Sequence, residues 1–141
     1  MRFMIIVKAD KDSEAGVMPP EELFVEMAAF HEELAKAGAL LDASGLQSSS
    51  KGWRIRFAGG KRSVIDGPFA ETKELIAGYT LIQAKSREEA SALTRRFPNP
   101  DMHGGDCEIE VRQLFELEDF GPSEAVERFR ELGVGSKERT P

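Results

Sequence analysis

The stretch DGPFAETKELIAGY, residues 66–79, begins with turn chemistry and ends at the start of a strand. Asp66 precedes a Gly-Pro pair, and its carboxylate can accept hydrogen bonds from backbone N–H groups two or three residues further on. Gly67 comes directly before proline and must avoid the α region, and we expect Phe69 to anchor the turn in the core. From Ala77 the chain continues as AGYTLIQAK, which predicts a strand.

Upstream, a strand, a helix and a second strand are predicted. RFMIIVK, residues 2–8, is short, apolar and β-branched in the middle, which is typical of a buried strand. After a polar loop over residues 10–17, a helix opens at a Pro-Pro-Glu-Glu run and ends at Gly38. Its apolar residues recur at helical spacing, so one face should lie on a core. ALLDASGL, residues 39–46, predicts the next strand, with an irregularity near Gly45.

A hairpin should follow a flexible loop over residues 47–52. WRIRF, residues 53–57, alternates apolar and basic side chains, and a Gly-Gly turn leads back into RSVID, residues 62–66. Arg54 and Arg56 should therefore share one strand face.

Downstream of the opening stretch, Ser86 caps a second helix and residues 107–117 predict a last strand. The order of elements is that of an α+β split βαβ fold, an antiparallel sheet with both helices on one face. The other sheet face would need a partner, which favours a homodimer. Residues 121–133 predict a short helix, and the end, residues 136–141, should be disordered.

The composition excludes several classes of function. A net charge of −6 argues against a nucleic-acid surface and, more weakly, against an anionic membrane. No apolar run approaches the roughly 20 residues of a membrane helix. A single cysteine, Cys107, favours a cytoplasmic location. Since no GxSxG, P-loop or Rossmann glycine pattern occurs, no cofactor is expected.

The chain resembles the YciI-like family, and specifically its DGPF subgroup. The pieces that carry the resemblance are RFMIIVK, EELAKAGALLDASGL, DGPFAETKELIAGYTLI, SREEASALTRRFP and EIEVRQLF. The resemblance implies a ferredoxin-like domain over residues 1–117 that pairs into a dimeric α+β barrel. Residues 118–141 would then be a C-terminal extension. This chain departs from the usual pattern of the family in two places. The loop after Leu46 reads QSSS where such proteins commonly carry proline, and the C-terminal extension continues past the usual end of the domain.

His31 and Asp42 are the candidate catalytic residues. His31 lies beside the apolar stripe of the first long helix and should look toward the sheet or its edge. The family pattern places its histidine and aspartate at these two positions, where the carboxylate would orient the imidazole for acid/base work. The alternative is a partly buried histidine satisfied by a neighbouring acid.

The charged residues after the Gly-Pro turn, with two arginines of the hairpin, are the candidate ligand-binding set. They would rim a cleft and attract an anionic or polar group. These residues are Asp66, Glu71, Lys73, Glu74, Arg54 and Arg56. Each group also has a structural alternative. Asp66 could only stabilise the turn, and Glu71, Lys73 and Glu74 could form an ion-paired rim across a dimer interface. The two arginines could be ordinary solvated positions on the outer face of the strand.

Two functions remain open at this point. The first is a small dimeric enzyme-like protein in which His31 and Asp42 perform acid/base chemistry on a small polar or anionic metabolite. The second, which the resemblance also implies, is a non-catalytic ligand-binding or accessory module linked to sigma-factor-type transcription regulation. His103 lies near Asp101 and Asp106, but two histidines in the chain make a poor ligand set, so no metal is expected.

Overall fold

Four strands form one antiparallel sheet, and two more form a separate hairpin, in the computed structural model, which describes residues 1–135. The strands are β1 (Arg2–Lys8), β2 (Leu40–Gly45), β3 (Trp53–Ala58), β4 (Lys61–Asp66), β5 (Ile76–Gln83) and β6 (Ile109–Gln113). The helices are α1 (Lys11–Glu14), α2 (Glu21–Lys36), α3 (Arg87–Thr94) and α4 (Glu124–Glu131).

The sheet order β2-β5-β1-β6 confirms the predicted ferredoxin-like α+β fold. β5 lies between β1 and β2 and is antiparallel to both, and β6 completes the sheet on the far side of β1. The β3–β4 hairpin forms the second sheet, as its Gly-Gly turn predicted. Pairing into a dimeric barrel stays a prediction.

The core lies between the two long helices and one face of the sheet. Ile5 and Ile82 are fully buried on neighbouring strands, and Leu34 of α2 is 1% exposed above them. Phe30 of α2 and Ala90 of α3 belong to the same cluster, so both helices cover the same face. This is the arrangement that the apolar stripe of the first long helix predicted.

Several local predictions differ from the structure. The predicted polar loop over residues 10–17 contains α1, because Asp10 and Ser13 form a reciprocal capping box. The last strand ends at Gln113, well before residue 117. Glu116, in the segment after this strand, is buried, and its two carboxylate oxygens share the hydrogen bond that Arg2 Nε donates, at 3.0 and 3.1 Å. A 3₁₀ turn follows directly at Leu117–Phe120.

The predicted disorder of residues 136–141 lies outside the described residues. Along residues 1–135, no helix is both long enough and apolar enough to cross a lipid bilayer.

Candidate functional site

His31 is held by hydrogen bonds at both ring nitrogens. It lies on α2, one turn after Met27, and Nδ1 is 2.7 Å from the carbonyl oxygen of Met27. Nε2 is 2.8 Å from the hydroxyl oxygen of Thr80 on β5. A carbonyl oxygen only accepts, so in the neutral imidazole Nδ1 carries the proton and Nε2 accepts from the Thr80 hydroxyl. The expectation that His31 looks toward the sheet is confirmed.

Aromatic side chains fix the ring of His31 from the helix side. Phe30 and Phe97 make edge contacts with the imidazole, with ring centroids 5.6 and 6.4 Å away. Thr80 is 3% exposed, so its hydroxyl has little access to solvent. A buried hydroxyl needs a partner, and the imidazole supplies it.

Thr80 was missed by the sequence reasoning, although a signal for it exists. In IAGYTLIQ, alternate residues from Gly78 through Thr80 to Ile82 are buried on the helix side of the sheet. A polar residue on that buried face has to be satisfied by something on a covering helix. His31 is the side chain that α2 presents there.

Asp42 takes a different partner. Its Oδ2 accepts a hydrogen bond from the hydroxyl of Tyr79 at 3.0 Å, and its Oδ1 accepts from the backbone N–H of Ala43 at 2.9 Å. This hydrogen bond to the carboxylate, with the charge of Asp42, raises the pKa of Tyr79 above its ordinary value. Tyr79 and Thr80 are adjacent on β5, so their side chains point to opposite faces of the sheet.

The predicted contact between the imidazole of His31 and the carboxylate of Asp42 is therefore wrong for the single chain. The register of β2 against β5 shifts between Leu40 and Asp42, so that Leu40 pairs with Ile82 and Asp42 with Leu81. Such a bulge reverses the alternation of side chains. Without it, Asp42 would share the face of Leu40. With it, the carboxylate lies on the face away from the helices. Whether either residue is catalytic stays a prediction.

A cavity of about 860 Å³ lies between α1, the start of α2 and the loop after β2. A shallower one of about 460 Å³ adjoins it and extends to His31 and Thr80. The two meet along shared lining residues that include Val7, Phe24 and Met27. Most of the lining is apolar. Together they make a cleft beside α2 with the His31–Thr80 pair in its wall.

The DGPF turn has a structural explanation. The backbone N–H of Gly67 donates to the carbonyl oxygen of Gly52 at 3.0 Å, and the N–H of Phe69 donates to Ser49 Oγ at 3.0 Å. Ser49 is itself held by Glu14, whose Oε2 accepts from its backbone N–H at 2.7 Å. The turn is thereby tied to the loop that borders the cleft.

Phe69 does not enter the core as expected. It is half-buried, and the guanidinium of Arg54 lies 3.7 Å from its ring centroid in a cation–π contact.

The predicted ligand-binding residues do not line this cleft. All six side chains are exposed, and none belongs to the linings of the cavities described above. Trp53 and Arg54 alternate along β3, which confirms that the arginines share the face opposite the tryptophan. Binding by any of the six stays a prediction.

The imidazole of His103 pairs with Asp12, which is distant in the sequence, and not with the nearby Asp101 or Asp106. Its Nε2 is 3.1 Å from Asp12 Oδ2 on α1, at the surface. The Cys107 thiol is exposed and donates to the Asn99 side chain. Across residues 1–135, no three His, Cys, Asp or Glu side chains are grouped closely enough to hold a metal ion.

The known proteins that resemble this chain include a relative by sequence and a solved structure. An uncharacterised protein of Rhizobium meliloti (strain 1021) is 30% identical over 95 residues, which cover 67% of this chain and 77% of the relative. Among solved structures, 5-chloro-2-hydroxyhydroquinone dehydrochlorinase from Burkholderia phenoliruptrix, in complex with 2,5-dihydroxybenzoquinone, superposes with a TM-score of 0.45. It is 14% identical, and the match covers 82% of this chain and 95% of that one.

The family assignment rests on the extent of the domain match. The YCII-related domain matches residues 1–116, from the first strand to the buried Glu116. This agrees with the resemblance that the DGPF stretch and its neighbours carried. The chain belongs to the YCII-related domain family.

Proposed function

We propose that this protein binds a small molecule with an apolar body in the cleft beside α2, and that His31 exchanges a proton with it by way of Thr80. The observation that carries the proposal is the 2.8 Å contact between His31 Nε2 and Thr80 Oγ1, in the wall of a cavity. Asp42 has no part in this version of the chemistry, because its carboxylate bonds to Tyr79 on the other sheet face.

The cleft favours a ligand that is mainly apolar. Its volume of about 860 Å³ lies in the range of small-molecule sites. Leu23, Phe24 and Met27 of α2 contribute apolar wall. The charged lining residues include Glu14 of α1 and Lys51 of the loop after β2. The proposed ligand therefore differs from the predicted polar or anionic metabolite: it has an apolar body and one polar group directed at Thr80.

The proton step requires two transfers in the same direction. A hydroxyl or acidic C–H of the ligand loses its proton to Thr80 Oγ1, while the hydroxyl proton of Thr80 moves to His31 Nε2. The ligand becomes an anion and the imidazole a cation, and the reverse transfers return the proton to the product. Nδ1 keeps its proton throughout, because it donates to the carbonyl of Met27 at 2.7 Å. This is general acid/base catalysis through a relay.

The test begins with binding and then measures turnover. The protein with ¹³C-labelled methionine methyl groups is screened by NMR against small ring compounds that carry one hydroxyl or carboxyl group. Shifts at Met27 identify ligands of the cleft, since this residue lines both cavities. Compounds that bind are then followed for conversion by the wild type, by His31→Gln and by His103→Gln.

We expect His31→Gln to lose conversion by about a hundredfold or more, the usual size of a general acid/base contribution. His103→Gln is the matched control, because His103 is the other histidine and pairs at the surface with Asp12. Equal conversion by His31→Gln and the wild type would refute the proposed role of His31.

One observation favours a second candidate, the non-catalytic ligand-binding module. Both ring nitrogens of His31 already have partners within the protein, which also suits a purely structural histidine. Ligands that shift Met27 but are never converted by the wild type would support the module. Its link to sigma-factor-type regulation stays a prediction.

A further inference from the structure

The β3–β4 hairpin stands apart from the body of the protein. Its two strands pair only with each other, in a sheet separate from the four-stranded one. Every residue of β3 is exposed, and so is every residue of β4 except Ile65. A two-stranded hairpin is marginal in water unless something packs against it. We call residues 53–66 the arm.

One face of the arm is mainly apolar, although Arg62, which lies 5.0 Å from the Phe57 ring centroid, and Asp66 belong to the same face. Trp53, Ile55 and Phe57 alternate onto the same face of β3, and Val64 of β4 pairs with Ile55 and joins them. Their exposed fractions are 63%, 52%, 69% and 66%. Four large apolar side chains side by side on a projecting hairpin are typical of an interaction surface.

The apolar face of the arm is not covered by its own chain over residues 1–135. The segments that flank the arm are joined to each other and to α1, because the N–H of Phe69 donates to Ser49 Oγ at 3.0 Å and the N–H of Ser49 donates to Glu14 Oε2 at 2.7 Å. The other face of the arm is engaged by the stacking of Arg54 on Phe69, 3.7 Å from the ring centroid. The apolar face is therefore held outward, and the order needed for docking is already present in the free chain.

The charge of the arm indicates what covers it. The arm holds four basic side chains and one acidic one, a net charge of +3, in a chain whose net charge is −6. The rest of the chain therefore carries −9. Two arms repel each other, whereas an arm and the acidic body of another copy attract. We infer that the apolar face of the arm docks on the body of a second copy of this chain.

This inference goes beyond the proposed function and beyond the prediction of a homodimer through sheet faces, because it assigns the contact to the arm. A basic, aromatic hairpin would also suit single-stranded nucleic acid. The net charge of −9 on the body opposes the approach of a phosphate backbone, which favours the second copy.

Trp53 is the single tryptophan of the chain, so its fluorescence reports directly on the apolar face. The wild type is diluted from high to low micromolar concentration, and emission is recorded beside the mass from sedimentation. We expect a doubled mass at high concentration with blue-shifted Trp53 emission, and a return to a red-shifted monomer on dilution.

Phe57→Ser should raise the dissociation constant about tenfold or more while Trp53 remains as the reporter. The matched control is Ser63→Ala, which changes an exposed residue on the opposite face of the arm and should leave association unchanged. Raising the salt concentration should weaken association, because the arm and the body carry opposite charge.

Three results would overturn the inference. The first is a monomer at every concentration with constant emission. The second is a dimer whose Trp53 emission stays red-shifted and whose dissociation constant is unchanged in Phe57→Ser, which would place the contact on another surface. The third is a monomer whose Trp53 fluorescence is quenched by a single-stranded oligonucleotide, which would assign the arm to nucleic acid.

Discussion

Gly67→Ala should destabilise the protein strongly. A Cβ atom built at Gly67 would lie 1.9 Å from the backbone oxygen of Ser49, whereas real Cβ contacts essentially never fall below 3.0 Å. The two segments must therefore separate by more than 1 Å. Ser49 cannot simply move away, because its N–H is bonded to Glu14 at 2.7 Å and its Oγ to the N–H of Phe69 at 3.0 Å.

The cost should be about 3 kcal/mol, at the upper end for an inserted methyl group, because backbone and not side chain has to shift. For a domain of this size each kcal/mol lowers Tm by roughly 3–5 °C, so a fall of about 10 °C is expected. Urea unfolding followed by circular dichroism gives the free energy of unfolding, and a thermal scan gives Tm.

Gly45→Ala is the matched control. Gly45 lies on β2, and a Cβ there would meet nothing within 4 Å, so its free energy of unfolding should stay within about 0.5 kcal/mol of the wild type. A Gly67→Ala protein as stable as this control would refute the close packing of the DGPF turn.

Two further substitutions address the polar pairs on either face of β5. Thr80→Val removes the donor to His31 Nε2 while Nδ1 keeps its proton, so we expect a change in the ¹⁵N shift signature of the imidazole at Nε2 and a loss of about 1 kcal/mol in the free energy of unfolding. Thr80→Ser should restore both, and an unchanged signature in Thr80→Val would contradict the pairing. Asp42→Asn should lower the pKa of Tyr79 toward its ordinary value of about 10. The chain has one tyrosine, so an absorbance titration measures that pKa directly, and an unaltered midpoint would contradict the contact. The pair favours the protonated phenol, so its stabilising effect is present below pH about 10 and is lost as the pH rises through the raised pKa.

Much of the fold could be predicted from local patterns in the sequence. The period-two run of β5 and the helical spacing from Leu23 to Leu34 depend on neighbours a few residues away, and both were assigned correctly. The hairpin followed from its Gly-Gly turn, and the face of Arg54 from simple alternation. α1 was missed because four residues are too few for any period, although its capping box was present in the sequence.

The chemistry of the site depended on tertiary structure. Sequence alone identified His31 and Asp42 as candidates and placed the imidazole toward the sheet. A one-residue shift in the pairing of β2 with β5 then put the carboxylate on the opposite face and left Thr80 as the partner of the imidazole. A bulge is set by the contacts between strands that are distant in the chain, so no local period encodes it. In the same way, Gly67 reads locally as a turn residue, and only the packed fold brings it against Ser49, more than a dozen residues away.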